Sequence, residues 1–343
     1  MGGDYAPTEI VVGALLAARR DASTHIVLVG DEAAIRAHLP ADAPPNLAIH
    51  ATSQVVSMDE APSQALRTKK DSSLAVAFQL QKDGAVDATL SAGNTGATMA
   101  FALMTLGRIK GIDRPAIATV FPTAKNPLIL LDGGANIDCK PQHLADFALM
   151  GAAYVPVIRG IIPDEKDKFE RGKLPTVGVL SVGEEESKGN ALSKAAFPLV
   201  KAGAARGTYT FFGNVEGRDI GQGTVDVIVC DGFVGNVVLK MAEGFARTFM
   251  DTLKDALISS LPSKFAAILL RPALRRMKQR FDHTGYGGAN LLGVNGACII
   301  CHGSAKANSI ASAIRIAKLA VEIDVSVRIR EAVTAESEGD DLS

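Results

Sequence analysis

Short apolar runs closed by glycine alternate with longer segments of helical period along most of this chain. His25 to Val29, Ala88 to Leu90, Thr176 to Ser181, Thr208 to Phe212, Val225 to Cys230 and Ala297 to Cys301 read as buried strands. Between them, Glu9 to Ala18, Ser72 to Gln81, Thr95 to Leu106, Pro141 to Ala152, Lys188 to Ala202, Val234 to Ser260 and Ala305 to Ala320 carry apolar residues at helical spacing. Strand alternating with helix predicts an α/β fold around a doubly wound, largely parallel sheet. Ala116 to Phe121 and Leu128 to Leu131 are separated by too few residues for a helical crossover, so an antiparallel hairpin should make that sheet mixed.

The pattern groups residues 1–330 into one α/β domain with a protruding helical pair at 253–281, and leaves 331–343 as a tail expected to fray. In the pair, Leu253, Leu257, Ile258 and Leu261 precede Pro262, Phe265 to Leu270 and Pro272, and a basic helix bearing Arg271, Arg275, Arg276 and Lys278 follows. No acidic residue lies between Asp255 and Asp282. An apolar tip backed by bases suits an anionic membrane or an acidic partner, and equally a dimer interface with a solvated basic face. The stretch from Pro163 to Pro175 is charged and reads as an exposed loop.

Composition narrows the function classes. Of 343 residues, 47% are hydrophobic and 21% charged, enough to bury a sizeable core. Lys and Arg number 36 against 37 Asp and Glu, and there is no Trp, so neither a basic field nor aromatic stacking favours nucleic acid. Cys139, Cys230, Cys298 and Cys301 fall in or beside strand-like runs and read as buried thiols in a reducing cytoplasm. The Cys298–Cys301 spacing sits inside a strand pattern, away from any helix start that would stabilise a thiolate. Ala88 to Gly107 is long and uncharged, but Ser91, Gly93, Asn94 and Gly96 break it into strand, loop and helix. No signal peptide precedes the first glycines, so the expectation is a soluble cytoplasmic protein.

The chemistry is carried by the turns that close the strands: Gly30-Asp31, Ser91 to Gly96, Asp132 to Asn136, Gly183 to Glu185, Gly213 to Gly217, Asp231 to Asn236 and His302 to Ser304. In an open α/β sheet such turns are expected to converge on one crevice, where bare N–H groups approach an anion. Ser91, Gly93, Asn94, Thr95 and Gly96 open a helix after a strand, which sets amides and a helix dipole against phosphate; a capped loop without a ligand explains the same residues. Asp231, Gly232 and Gly235 open another helix, with Asn236 in its first turn able to donate from its amide. Lys188, beside Glu184, Glu185 and Glu186, is positioned to offer a fixed positive charge to phosphate or to an oxyanion, if those carboxylates hold it. No metal motif, nucleotide fingerprint or Gly-x-Ser-x-Gly elbow is present, so neither metal nor cofactor is expected.

Taken in order, Met1 to Asp4 with Ala6-Pro7, Met58 to Glu60 with Lys69 to Ser73, Ser91 to Gly96, Leu131 to Asn136, Gly183 to Glu185 with Lys188 to Asn190, Gly213 to Gly217, Asp231 to Asn236, Tyr286 to Gly288 and His302-Gly303 resemble the acyl-acyl carrier protein:phosphate acyltransferase family, known as PlsX. The resemblance implies a fold similar to the isocitrate and isopropylmalate dehydrogenases and phosphotransacetylases, a homodimer, and peripheral association with an anionic membrane and its acyltransferases. It implies attack of inorganic phosphate on an acyl carrier protein thioester, giving acyl phosphate for bacterial phospholipid synthesis. Lys188 and Asn236 match the catalytic pair, and Asp132, Asn136 and Asn214 join the turns above as substrate- or phosphate-binding candidates. Lys264, Phe265, Leu269, Arg271, Arg275, Arg276 and Lys278 become candidates for contact with the acidic carrier or the membrane. A phosphotransacetylase-like enzyme using coenzyme A and a non-catalytic membrane-associated scaffold are the alternatives. Two departures stand out. Family members begin with a short strand ahead of Met-Gly-Gly-Asp, so a central or near-central strand is expected to be missing here and the first loop poorly placed. Ile161 to Lys173 is longer than the usual connection.

Overall fold

A computed structural model describes residues 1–161, 173–281 and 287–340. The first half contains α1 (Thr8–Arg20), β1 (Ile26–Gly30), α2 (Glu32–Arg36), β2 (Leu47–Ala51), α3 (Pro62–Thr68), α4 (Ser73–Lys82), β3 (Ala88–Ser91), α5 (Thr95–Thr105), β4 (Ala116–Phe121), β5 (Leu128–Leu131) and α6 (Pro141–Ile161). The second half contains β6 (Thr176–Leu180), α7 (Ala191–Ala204), β7 (Thr210–Val215), α8 (Gly217–Gln222), β8 (Val227–Val229), α9 (Gly232–Ile258), α10 (Leu261–Phe281), β9 (Ala289–Leu292), β10 (Ala297–Ile300), α11 (Ala307–Glu322) and α12 (Val325–Asp340).

Eight strands form one mixed sheet in the order β3-β10-β9-β4-β5-β8-β6-β7. The block β5, β8, β6 and β7 is parallel throughout, and β3 pairs parallel with β10. Antiparallel pairings of β10 with β9, β9 with β4 and β4 with β5 join the two groups, so β3 and β10 run opposite to the β5 block. The hairpin of β4 and β5 is as the short connection requires, with Thr119 opposite Leu130 and Phe121 opposite Leu128.

Side-chain alternation places helices on both faces. Ile129 and Leu131 of β5 point into a core shared with Phe147, Met150 and Tyr154 of α6. Leu128 and Leu130 point the other way, against Ile220 of α8 and Val234 and Val238 of α9. All four leucines and isoleucines of β5 are buried, each stabilising the fold by about 1.5–3 kcal/mol relative to exposure. The β5 turn is thereby anchored to a rigid support.

Several elements differ from the sequence reading. The run at His25 to Val29 is a strand, but β1 pairs parallel with β2 in a separate two-stranded sheet. Between β1 and β3 lies a cavity of about 490 Å³ lined by Leu28, Leu74, Leu90 and Ile310 among others. The loop at Met1 to Asp4, expected to be poorly placed, is tied down: Met1 N donates to the Val29 carbonyl at 3.2 Å and Asp4 N–H to the Gly303 carbonyl at 2.8 Å. The tail expected to fray from 331 continues as α12, because Ala332 and Val333 are buried. Most of the charged stretch from Pro163 to Pro175 lies outside the described residues. No helix among the described residues is long and apolar enough to cross a membrane.

Candidate active site

The strand-closing turns do not make one continuous rim. Apart from Gly30-Asp31, which lies on the separate β1–β2 sheet, they fall into two clusters, one after β3 and β10 and one after the β5 block, and none of the described hydrogen bonds joins the two. The cause is the reversal at β4 and β9, which gives β3 and β10 the opposite sense to the β5 block.

The first cluster gathers Gly2 to Asp4, Ala92 to Gly96 and His302 to Ser304. A Cβ on Gly3 would stand 2.9 Å from the Ala92 carbonyl oxygen and 3.1 Å from that of Gly303, so only glycine admits this approach. Gly3 also has a φ of 100°, which favours glycine. Asn94 caps α5, its Oδ1 accepting from Ala97 N–H at 3.0 Å. Its Nδ2 donates to the carbonyls of Ser57, Met58 and Glu60, so the side chain expected to meet phosphate instead pins an overlying segment. Glu60 holds that segment through Lys69 at 3.0 Å, and this contact lowers the Glu60 carboxyl below its usual range. Ser91 Oγ is likewise engaged, accepting from Gly93 N–H and Thr98 Oγ1. The N–H groups of Thr95 and Gly96, both exposed in the first turn of α5, have no partner among the described residues. Two free amides and the positive end of the helix dipole therefore face outward together.

The second cluster is built on Asp132. Its carboxylate is fully buried and accepts from the N–H groups of Ile117, Gly134, Ala135 and Asn136 and from Asn136 Nδ2, at 2.6–3.1 Å. Burial pushes the carboxyl above its usual range, and these donors counter part of that rise. Asp132 and Asn136 are thus internal braces of their turn, although they were candidates for substrate contact. Asn136 adds a bond to the Pro115 carbonyl and accepts from Gly232 N–H at 2.7 Å, locking the turn to the start of α9. A Cβ on Gly235 would sit 1.9 Å from the Asp132 carbonyl oxygen, and one on Gly134 would sit 3.3 Å from Asn236 Cβ. Asp231 caps α9, its Oδ1 accepting from Val234 N–H at 2.9 Å, and Asn236 is exposed beside the Asp132 turn.

Lys188 follows β6, whose neighbours are β8 and β7, so its loop adjoins the same cluster. The helix expected from Lys188 begins at Ala191 with Asn190 as its cap, which leaves Lys188 in an exposed loop. Among the described residues Lys188 has no ion pair; Glu184 binds Arg218 at 2.7 Å instead of holding the lysine. Asn214 is buried; its Nδ2 donates to the Glu185 carbonyl at 2.8 Å and so positions the Lys188 loop, while its Oδ1 has no partner among the described residues.

The thiols are inert by placement. Burial pushes Cys298 and Cys301 up to about 12 and Cys139 to about 11. On α10, Phe265 and Leu269 are 74% and 76% exposed and Lys264 and Arg271 are exposed, while the side chains of Arg275, Arg276 and Lys278 lie outside the described residues. The sequence reading missed one feature, a stripe on α9 of Phe233, Val237, Met241, Phe245 and Phe249, each more than half exposed. Its four-residue spacing was visible but had been absorbed into a general helical pattern.

Comparison with known proteins identifies the relatives of this arrangement. The family model described as fatty acid synthesis protein matches residues 1–328. A phosphate acyltransferase of Pelotomaculum thermopropionicum is 50% identical over 97% of this chain and 93% of its own length. One from Heliobacterium modesticaldum is 48% identical over 98% and 97%. A phosphotransacetylase from Streptococcus pyogenes shares the fold, with a TM-score of 0.59 at 18% identity over 94% of this chain and 92% of that one. The chain belongs to the fatty acid synthesis protein family and is an acyltransferase enzyme of the phosphate acyltransferase kind.

Proposed function

We propose that the chain transfers a fatty acyl group from an acyl carrier protein to inorganic phosphate, supplying acyl phosphate for phospholipid synthesis. The observation that carries this reading is the start of α5, where the N–H groups of the exposed residues Thr95 and Gly96 have no partner among the described residues while the side chains of Ser91 and Asn94 are engaged within the protein. Such a pair at a helix N-terminus suits a small anion. A phosphate oxygen held there attacks the thioester carbonyl carbon, the C–O bond forms, and the C–S electrons leave with the carrier thiolate. Lys188 and Asn236, the exposed donors of the second cluster, face the oxyanion that develops on the carbonyl; each well-aimed donor contributes about 3 kcal/mol. The reaction needs no enzyme nucleophile, in keeping with thiols whose pKa values burial has raised.

Two exposed apolar surfaces support the assembly. A second copy of the chain covers the α9 stripe, giving a homodimer, and the tip residues Leu261, Phe265 and Leu269 with Lys264 and Arg271 rest on an anionic membrane near its acyltransferases.

The test is phosphate-dependent thiol release from purified carrier thioester and from acyl-coenzyme A, using wild type, Lys188→Ala and Asn236→Ala. Wild type should prefer the carrier thioester, and each variant should lose about 10²–10³-fold in kcat. Equal rates for Lys188→Ala and wild type, or release that ignores phosphate, would sink the reading.

A further inference from the structure

Helices α3, α4 and α5 enclose an open cleft of about 1050 Å³. Its apolar surface includes Leu66, Leu80, Phe101 and Met104, and Met104 is 72% exposed. Arg67, Lys70 and His50 stand along it against one acid, Asp83. Neither Arg67 nor Lys70 has an ion pair among the described residues, whereas the adjacent Lys69 is committed to Glu60. Two uncommitted cations beside an adaptable Met-bearing apolar floor match an amphipathic helix with acidic flanks.

The cleft also lies close to the phosphate-binding turn. Pro62, at the start of α3, packs on Gly96, where a Cβ would lie 3.0 Å from its Cγ, and Ser63 is the next residue and lines the cleft. Along α5, Phe101 and Met104 are about 9 and 14 Å from Thr95 at the helical rise of about 1.5 Å per residue. The α9–α10 tip is a poorer place from which to deliver a reacting group. By the same rise, Ile258 at the end of α9 is about 33 Å from Asn236.

We propose that the α3–α4–α5 cleft docks an acidic amphipathic helix of the carrier that brings the acyl group. The inference rests on the carrier-dependent reading above. Seated there, the carrier presents a thioester on a flexible arm to the start of α5. Arg67 and Lys70 steer the encounter, Leu66, Leu80 and Met104 take the helix's apolar face, and the basic tip is left to the membrane.

The experiment compares an acyl carrier protein thioester with a pantetheine thioester lacking the carrier. The variants are Arg67→Glu/Lys70→Glu, Met104→Glu and, on the tip, Lys264→Glu/Arg271→Glu. Both cleft variants should raise KM for the carrier-linked donor on the order of tenfold at low salt. Their KM for the small thioester should not move, and the tip variant should behave as wild type with both. For the double charge reversal, the difference should shrink as salt screens the pair. An unchanged KM in the cleft variants overturns the proposal, as does an equal loss on both donors or an effect confined to the tip. A wild type that transfers from neither donor overturns the functional reading, and the docking proposal falls with it.

Discussion

Alanine at Gly235 tests how tightly the start of α9 is seated on the Asp132 turn. The added Cβ would stand 1.9 Å from the Asp132 carbonyl oxygen and 3.2 Å from Cys230 Sγ. Ordinary carbon contacts lie at about 3.5–4.0 Å. The oxygen cannot retreat cheaply, because Leu130, Leu131 and Asp132 are all fully buried. Two effects oppose each other: alanine gains about 1 kcal/mol of helix propensity over glycine, and overpacking costs about 1–3 kcal/mol. With backbone as the obstacle the cost lies at or above the top of that range, leaving a net loss of about 2 kcal/mol. At about 2.1 cal/mol/K of unfolding entropy per residue, the whole chain carries about 0.7 kcal/mol/K, so the thermal midpoint falls about 3 °C. Gly221 of α8 has nothing within 4 Å of its Cβ position, so Gly221→Ala should gain up to about 1 kcal/mol and raise the midpoint by about 1 °C. Differential scanning calorimetry of both variants reads the contrast directly. Because Asn236 follows Gly235 in the chain, Gly235→Ala should also lose most phosphate-dependent transfer. A Gly235→Ala protein melting with or above Gly221→Ala would refute the packing argument.

Asn94→Ala removes the α5 cap, worth about 1 kcal/mol, and frees the 57–60 carbonyls, so calorimetry should show a lower midpoint and phosphate titration a higher KM. Asp21 accepts from Lys318 Nζ at 2.6 Å and from Thr24 and Ser23, and these bonds, the lysine's first, hold its carboxyl far below the ordinary value near 4. A depressed folded pKa stabilises above the unfolded value and loses that contribution as the pH falls through the folded one. Asp21→Asn should therefore melt below wild type at pH 7, with the gap narrowing as the pH drops below about 4 in a melting series. Phe245→Glu, placed in the middle of the exposed α9 stripe, should convert a dimer to a monomer in sedimentation velocity. A wild type already monomeric at micromolar concentration would remove the second copy from the α9 face.

The parts of the fold that the sequence disclosed are those decided locally. The β4–β5 hairpin followed from a connection too short to cross, and β8 from an unbroken run of Val and Ile. β9 escaped notice because Asn290 interrupts its few apolar residues; the side chain is buried there only because β4 and β10 enclose it. β1 was readable as a strand, but its pairing with β2 depends on contacts set by the whole chain. The start of α5 at Thr95 was readable for the same local reason, a glycine-rich loop entering a helix. Asp132 and Asn94 turn inward, against the expectation of ligand contact. Polar residues in a glycine turn look alike whether they face a ligand or their own backbone, and only the closed turn shows which N–H and carbonyl groups reach them.

The division into two clusters has a geometric consequence for the chemistry. In a flat sheet the reversal at β4 and β9 would point the carboxyl ends of β3 and β8 away from each other. Sheets twist by about 20–25° per strand, and five steps separate β3 from β8, so about 100–125° of rotation offsets much of that reversal. The starts of α5 and α9 can then overlook a shared side while standing on separate strand blocks. Their alignment is set by the hairpin and β9 between them, and Ile117 is its most direct link: its N–H binds Asp132 and its carbonyl accepts from Gly133. Any arrangement that brings the two turns together therefore depends on the β4–β5 hairpin that carries the Asp132 turn, which is why the turns alone could not reveal how they meet.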